Sequence, residues 1–418
     1  MDLLLQSARI ADDAPLVDIG VDDGLIVEIS DRASPRAATT IDCAGRVVIP
    51  GLIEAHLHLD KALLDKEQPN RDGTLAGAIE VTGALKRQFT AESVRQRARQ
   101  VIEQSIINGT TLIRAHPDVD PIVGLLGVDV LVDLREEYRG QVDLQIVAFP
   151  QEGILKAPGT QELLAEALRR GADVIGGCTY NEANLADCHR HVDVVFGLAE
   201  EFGVPIDMHA DFADDASDPR FALAEQIAEV TVRRGMSGRV TLGHMTSLAG
   251  RDADDRKSAL ADLAAAGVAV VPLPATDMHL GGRDDTHNVR RGVVPVADMW
   301  AAGVRCAYSS NNIRNAFTPY GNADMLDVGL LLAQVSHVSG APGLARVLDM
   351  ATYSAAAVVG VDDRYGLAPG CRADLVVLST DCVADVLLDR PDRCFVIKGG
   401  RVVAHTTRTS QLTEVIHA

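Results

Sequence analysis

The chain has 418 residues, 47% of them apolar, and 39 Lys and Arg against 59 Asp and Glu give it a formal net charge of −20 at pH 7. This length exceeds one ordinary domain but suits a barrel enzyme with an appended module, and the negative balance repels a phosphate backbone, which argues against nucleic acid as a partner. No apolar run reaches the roughly 18 residues of a membrane helix, and Asp2 stands where a secretory signal would carry Lys or Arg, so the expectation is a cytoplasmic protein without a membrane partner.

In chain order, the front of the sequence reads as short strands at Leu3–Ile10, Gly20–Ile29 and Arg46–Ile49, joined by Asp-Gly and similar turns. Eight further β-branched runs follow: Gly51–Leu59, Thr110–His116, Val142–Phe149, Ala172–Cys178, Val204–Ala210, Arg239–Met245, Gly267–Pro274 and Gly303–Ser310. Stretches with apolar spacing of three and four, such as Pro121–Tyr138, Thr160–Arg170, Asp218–Arg234 and Ser258–Ala266, alternate with them as amphipathic helices. The chain closes on strands at Ala373–Leu378, Cys394–Lys398 and Arg401–Ala404. Alternating β and α runs predict an α/β protein, a (β/α)8 barrel over residues 51–364. The flanking strands predict one small β-sandwich assembled from residues 1–50 and 365–418. The seven cysteines are dispersed, without a CxxC pair, and read as reduced thiols.

Catalytic groups of such a barrel come from the C-terminal ends of its strands. There the sequence places His56 and His58, His116 and Asp118, Gln151 and Glu152, His209 and Asp211, His244, Asp277 and His279, and Asn311 and Asn312. His56 and His58 are two apart, so on a strand both imidazoles face one way, as chelation of one divalent ion requires. Two polar histidines alone are weak evidence; His209 and His244 at equivalent strand ends strengthen it. Four converging neutral imidazoles suit Zn or Fe(II).

The runs GLIEAHLHLDKALL, AFPQEGIL, HLGGRDDT, PYGNADML and GLAPGCRADLVVL occur in one order along nearly the whole chain. Together they resemble the amidohydrolase superfamily, in its cytosine deaminase and N-isopropylammelide amidohydrolase branch. The resemblance implies a TIM barrel with a composite sandwich, in which His56, His58 and His209 hold a metal. His244 is then a further ligand or the group that orients water or substrate, Gln151 grips the amide edge of a ring, and Phe317 lines the same pocket. Phe212, Asn312, His116 and Lys61 complete the expected substrate-binding set.

Two positions depart from the resembled pattern. Phe212 stands where the family has a proton-shuttling glutamate, and Asn311 where it has a metal-binding aspartate. A phenyl ring cannot transfer a proton, and an amide is neutral and cannot serve as a general base. Candidates to replace them are Asp60, Asp118, Asp211, Asp214, Asp277 and Lys61, with Asp211 and Asp277 preferred. Strand four offers Cys178 and Tyr180 and no lysine to bridge two ions, so a single metal is expected. The functional expectation is a metal-dependent amidohydrolase-type enzyme acting on a C–N bond of a small cyclic amide or amidine, pyrimidine- or triazine-like and not cytosine itself. A lyase, isomerase or cyclase on the same scaffold, or a ligand-binding pseudoenzyme, stays open beside it. An exposed helix face leaves room for a homo-oligomer.

Overall fold

The structure, a computed structural model, describes residues 1–33 and 36–412. The chain divides into two compact units, Met1–Gly51 with the segment from Gly366 onward, and Leu52–Tyr365.

The first unit contains strands β1 (Leu3–Ala8), β2 (Val17–Asp22), β3 (Leu25–Ser30), β4 (Thr39–Asp42) and β5 (Val48–Pro50) from the front of the chain. The second contains seven strands: β6 (Leu52–Leu57), β7 (Thr110–Ala115), β8 (Asp143–Ala148), β9 (Val174–Cys178), β10 (Ile206–Ala210), β11 (Val240–His244) and β12 (Ala269–Val271). Strands β13 (Leu375–Leu378), β14 (Arg393–Lys398) and β15 (Arg401–His405) return to the first unit.

Two four-stranded sheets, β3-β2-β1-β4 and β15-β14-β13-β5, make up the first unit. Leu3, Leu5, Ile19, Val21 and Ile26 of one meet Val48, Leu375, Val377 and Ile397 of the other in a single core, which is a sandwich built from both ends of the chain. The run Gly20–Ile29 is not one strand. Asp23 and Gly24, at φ 46° and 76°, turn it into the β2–β3 hairpin, because two consecutive positive φ angles match the twist of paired strands. The four-residue β4 carries too little pattern to be read from sequence.

In the second unit β6 to β12 form one parallel array in sequence order, nearly all of it buried, and helices such as Ala91–Ile107, Leu126–Glu137, Leu185–Phe202 and Ala253–Ala266 lie between them. Three of these helices start where side chains take up free amides: Thr90 with Ser93 in a capping box, Asn184, and Asp252. Several end on left-handed glycines, Gly203, Gly267 and Gly303. The eighth stave differs from expectation, since residues 303–310 form no ladder strand. On the β12 side main-chain bonds hold it, Val270 N–H to Arg305 O at 2.9 Å and Ala307 N–H to Val270 O at 3.3 Å. On the β6 side side chains replace the ladder. The Ser309 hydroxyl accepts the His56 amide at 2.7 Å, and the buried Glu54 carboxylate takes the Ser310 amide at 2.8 Å and both serine hydroxyls. Main-chain pairing with β6 resumes only at Asn311, whose amide meets His56 O at 3.0 Å. Among the described residues no helix is long and apolar enough to cross a membrane.

Candidate active site

His56 on β6, His58 one residue beyond it and His209 on β10 bring three ring nitrogens together. His209 Nε2 lies 3.1 Å from Nε2 of both His56 and His58. His58 Nδ1 is 2.8 Å from the carbonyl of His116. A carbonyl only accepts, so Nδ1 carries the hydrogen and Nε2 of the neutral ring holds a lone pair. Burial pushes the His56 pKa down to about 3, with His116 adding to the effect, and burial likewise holds His58 and His209 well below the ordinary value. Neutral rings aiming nitrogens at one point repel unless a cation stands between them, so the donor set fits a divalent metal. Asn311, at φ 60° on the eighth stave, adds a buried side-chain oxygen without any partner.

Beneath these rings lies a polar layer. Asp207 approaches His116 Nε2 at 3.3 Å and His56 Nδ1 at 3.6 Å and pairs with Arg114 at 2.9 Å. Burial would raise its pKa, but His116, His56 and Arg114 outweigh it and keep the carboxylate ionised. An anion behind a ligating imidazole fixes the ring and raises its basicity.

His244 ends β11 at φ 71°, with Nδ1 2.6 Å from Asp277 Oδ1, while Asp277 Oδ2 accepts the Leu273 amide at 3.0 Å. Burial raises the Asp277 pKa, with His244 opposing it. The Phe212 ring stacks on His244 with centroids 4.0 Å apart, occupying the volume an acid would need. Beside them is a narrow pocket bounded by His58, His209, His244 and Asn311, by Lys61, Gln151, Thr276 and Asn312, and by Tyr180, Phe212 and Phe317.

Of the residues singled out from sequence, the structure thus brings His56, His58, His209, His244, Asp277, Asn311, Gln151, Lys61, Asn312, Phe212 and Phe317 to one place. Others go elsewhere. The Asp211 carboxylate caps the helix Ala224–Arg233, accepting the Leu223 and Ala224 amides at 2.9 and 3.1 Å, so it is turned to a helix start and not to the histidines. His116 does not line the cavity; it is fully buried and stacks on His56 at 3.7 Å, which makes it a support for that ring and not a substrate contact. Asp118 is held by Lys61 at 2.7 Å and Lys86 at 3.1 Å. Asp60 accepts the Asp118 amide, Asp214 the Gly282 amide, and His279 stacks edge-on with Tyr320 outside the cavity. Sequence reading missed Glu54, Arg114 and Asp207. Each sits two positions before a histidine on its strand, so a charge inside an apolar run on the histidine face was the available signal.

The sequence profile of the amidohydrolase family matches residues 39–404. The chain is 29% identical over 390 residues to a pterin deaminase of Rhizobium rhizogenes, covering 92% of this chain and 87% of that protein. It superposes on the crystal structure of 5-methylcytosine deaminase from Klebsiella pneumoniae liganded with 5-fluorocytosine with a TM-score of 0.92 at 31% identity, covering 98% of this chain and 99% of that one. For N-isopropylammelide isopropylaminohydrolase from Burkholderia multivorans the TM-score is 0.85 at 33% identity, over 97% and 99% of the two chains.

Proposed function

Because the chain belongs to the amidohydrolase family, whose named relatives act on cytosine-like, pterin and triazine rings, we propose that it is a cytoplasmic hydrolase that uses one divalent ion, Zn or Fe(II), to cleave a C–N bond of a small pyrimidine- or triazine-like ring other than cytosine. The observation that carries this reading is the convergence of the His56, His58 and His209 Nε2 atoms beside a small cavity with one polar and one apolar wall. His56, His58 and His209 would hold the ion, with Asn311 Oδ1 as a neutral neighbour. Such an ion lowers the pKa of water and polarises the bond under attack.

The proton work falls to His244. Its Nδ1 hydrogen is committed to Asp277, which leaves Nε2 to accept a proton from the attacking water and return it to the departing nitrogen. Asp277, fixed by the Leu273 amide, stabilises the imidazolium during that transfer. Gln151 and Lys61 hold the ring at its polar edge. Phe212 stacked on His244 keeps bulk water from that face and offers an apolar surface to an alkyl or aryl substituent on the leaving nitrogen. With Phe212 unable to protonate a ring nitrogen and Asn311 unable to collect a proton, both transfers rest on His244, and cytosine has no N-substituent to occupy the apolar surface at Phe212.

The experiment is a panel of amino- and alkylamino-substituted pyrimidines and triazines, with the protein loaded with Zn or Fe(II) in ¹⁸O water. Amine release with ¹⁸O in the ring product is the expected result. Turnover without solvent oxygen would point to the lyase or isomerase reading, and binding without turnover to a pseudoenzyme.

A further inference from the structure

Three amide and amine groups face the cavity, and their partners fix how each is turned. Lys61 Nζ lies 2.7 Å from Asp118 Oδ1 and 3.1 Å from Gln151 Oε1. A lysine nitrogen only donates, so Gln151 must give it the oxygen and turn its NH2 to the cavity side, where it meets the Tyr180 side chain and, at 3.9 Å, the weak acceptor Cys178 Sγ. Asn315 does the same for Asn312. Asn315 Oδ1 accepts the Phe317 and Thr318 amides at 2.9 and 3.2 Å, so its NH2 is the group that reaches the Lys61 carbonyl at 3.2 Å and Asn312 Oδ1 at 2.7 Å. Asn312 is left with its NH2, one hydrogen of which meets Thr276 Oγ1 at a long 3.4 Å. Side-chain amides are ambiguous when considered alone, but backbone amides, carbonyls and ammonium groups have one role each, and here they fix both orientations.

The geometry points to a recognition wall made of donors, Lys61 Nζ, Gln151 Nε2 and Asn312 Nδ2, lining the same pocket as the acceptor His244 Nε2. The substrate class that fits is a ring whose recognised edge carries oxo groups or ring-nitrogen lone pairs and no N–H: an oxo-substituted pyrimidine or triazine bound through an N–H-free edge or as its ring anion, with the amine to be lost turned toward His244. A ring with amino groups on that edge sets donor against donor and leaves buried N–H groups unpaired. This inference rests on the proposal that the cavity takes the substrate. It assigns Asn315 as a positioning residue that acts through Asn312.

The test is calorimetric binding to chelator-treated protein of two rings of one shape, barbiturate and 2,4,6-triaminopyrimidine, so that neither metal nor turnover enters. Barbiturate should bind at least about 10²-fold tighter, the order by which a hydrogen-bonding site rejects a mismatched analogue. Asn315→Asp then probes the mechanism. The introduced carboxylate still accepts the Phe317 and Thr318 amides but cannot donate, so Asn312 should turn over, give it the NH2 and present oxygen to the cavity. The preference ratio should fall at least about tenfold in a variant that still unfolds cooperatively, a loss of roughly one hydrogen bond. Equal binding of the two rings by the parent protein overturns the inference whatever the enzyme hydrolyses. An unchanged ratio in a folded Asn315→Asp variant removes Asn315 from it. Selective barbiturate binding with no hydrolysis of any ring tested would overturn the hydrolase reading and leave the donor wall standing.

Discussion

Replacing Asn311 by aspartate should convert the ligand set from one of neutral groups into one with an anion. Asn311 Oδ1 is buried and has no hydrogen-bond partner, 2% of the residue being exposed, so the new carboxylate would enter the site with no partner already in place. Changes in groups that only contact metal ligands shift affinity by about 10- to 100-fold, and a direct anionic ligand should reach at least the upper end. That corresponds to roughly 2.8 kcal/mol at tenfold per 1.4 kcal/mol. Without the ion the same carboxylate is a buried, uncompensated charge, which costs on the order of 1–3 kcal/mol or more. Asn311→Asp should therefore lower the melting temperature of the chelated protein and raise that of the zinc-loaded protein, a divergence that a simple packing defect would not produce. Competition against a chromophoric zinc chelator measures the affinity directly. Equal zinc retention by the two proteins, with melting curves displaced in the same direction, would refute the placement of Asn311 beside the ion.

Ammonia release from cytosine, assayed with Zn or Fe(II), should be negligible; a turnover number in the range of about 1–10³ per second would show that some other group carries the proton. Phe212→Glu combined with Asn311→Asp should raise that activity, each restored proton carrier contributing about 10²–10⁴, and no gain in the double variant would mean that the ring sits elsewhere. Asp277→Asn removes the anion that holds the His244 tautomer, so kcat on the true substrate should drop by about 10²–10⁴ with metal content unchanged; a fall in bound metal instead would make Asp277 part of the metal support. Burial pushes the thiols of Cys43, Cys178 and Cys306 up to about 12 and that of Cys188 to about 11, so native protein at pH 8 should titrate no more than the three partly exposed thiols, Cys371, Cys382 and Cys394, and denatured protein all seven.

The fold was legible in the sequence because its signals are local: β-branched runs, apolar spacing of three and four, and Asp-Gly turns each report on a few neighbouring residues. Alternation placed His56 and His58 on one face, and the strand-end rule singled out His209 and His244. What sequence could not supply was the direction of a polar group with two available destinations. Asp211 and Asp277 both follow strand ends, yet a helix start takes the first and His244 the second. The same limit hid the two amide orientations, which depend on contacts such as Lys61 to Gln151, 90 residues apart. The eighth stave was misread as a regular strand because Glu54, more than 250 positions away, supplies bonds that a ladder would otherwise make.

That seam between β6 and residues 303–310 has a consequence for how the site can change over evolutionary time. A strand locked into a ladder on both edges cannot alter its register without disturbing every pair along it. Here one edge is stitched by a single carboxylate and two hydroxyls, so amides along it should exchange with solvent sooner than those of the neighbouring ladders. Asn311 and Asn312 lie immediately after the seam. Asn311 and Asn312 are thus carried at the end of a seam held on one edge by side chains, where a sequence can drift in chemistry while the laddered staves stay as they are.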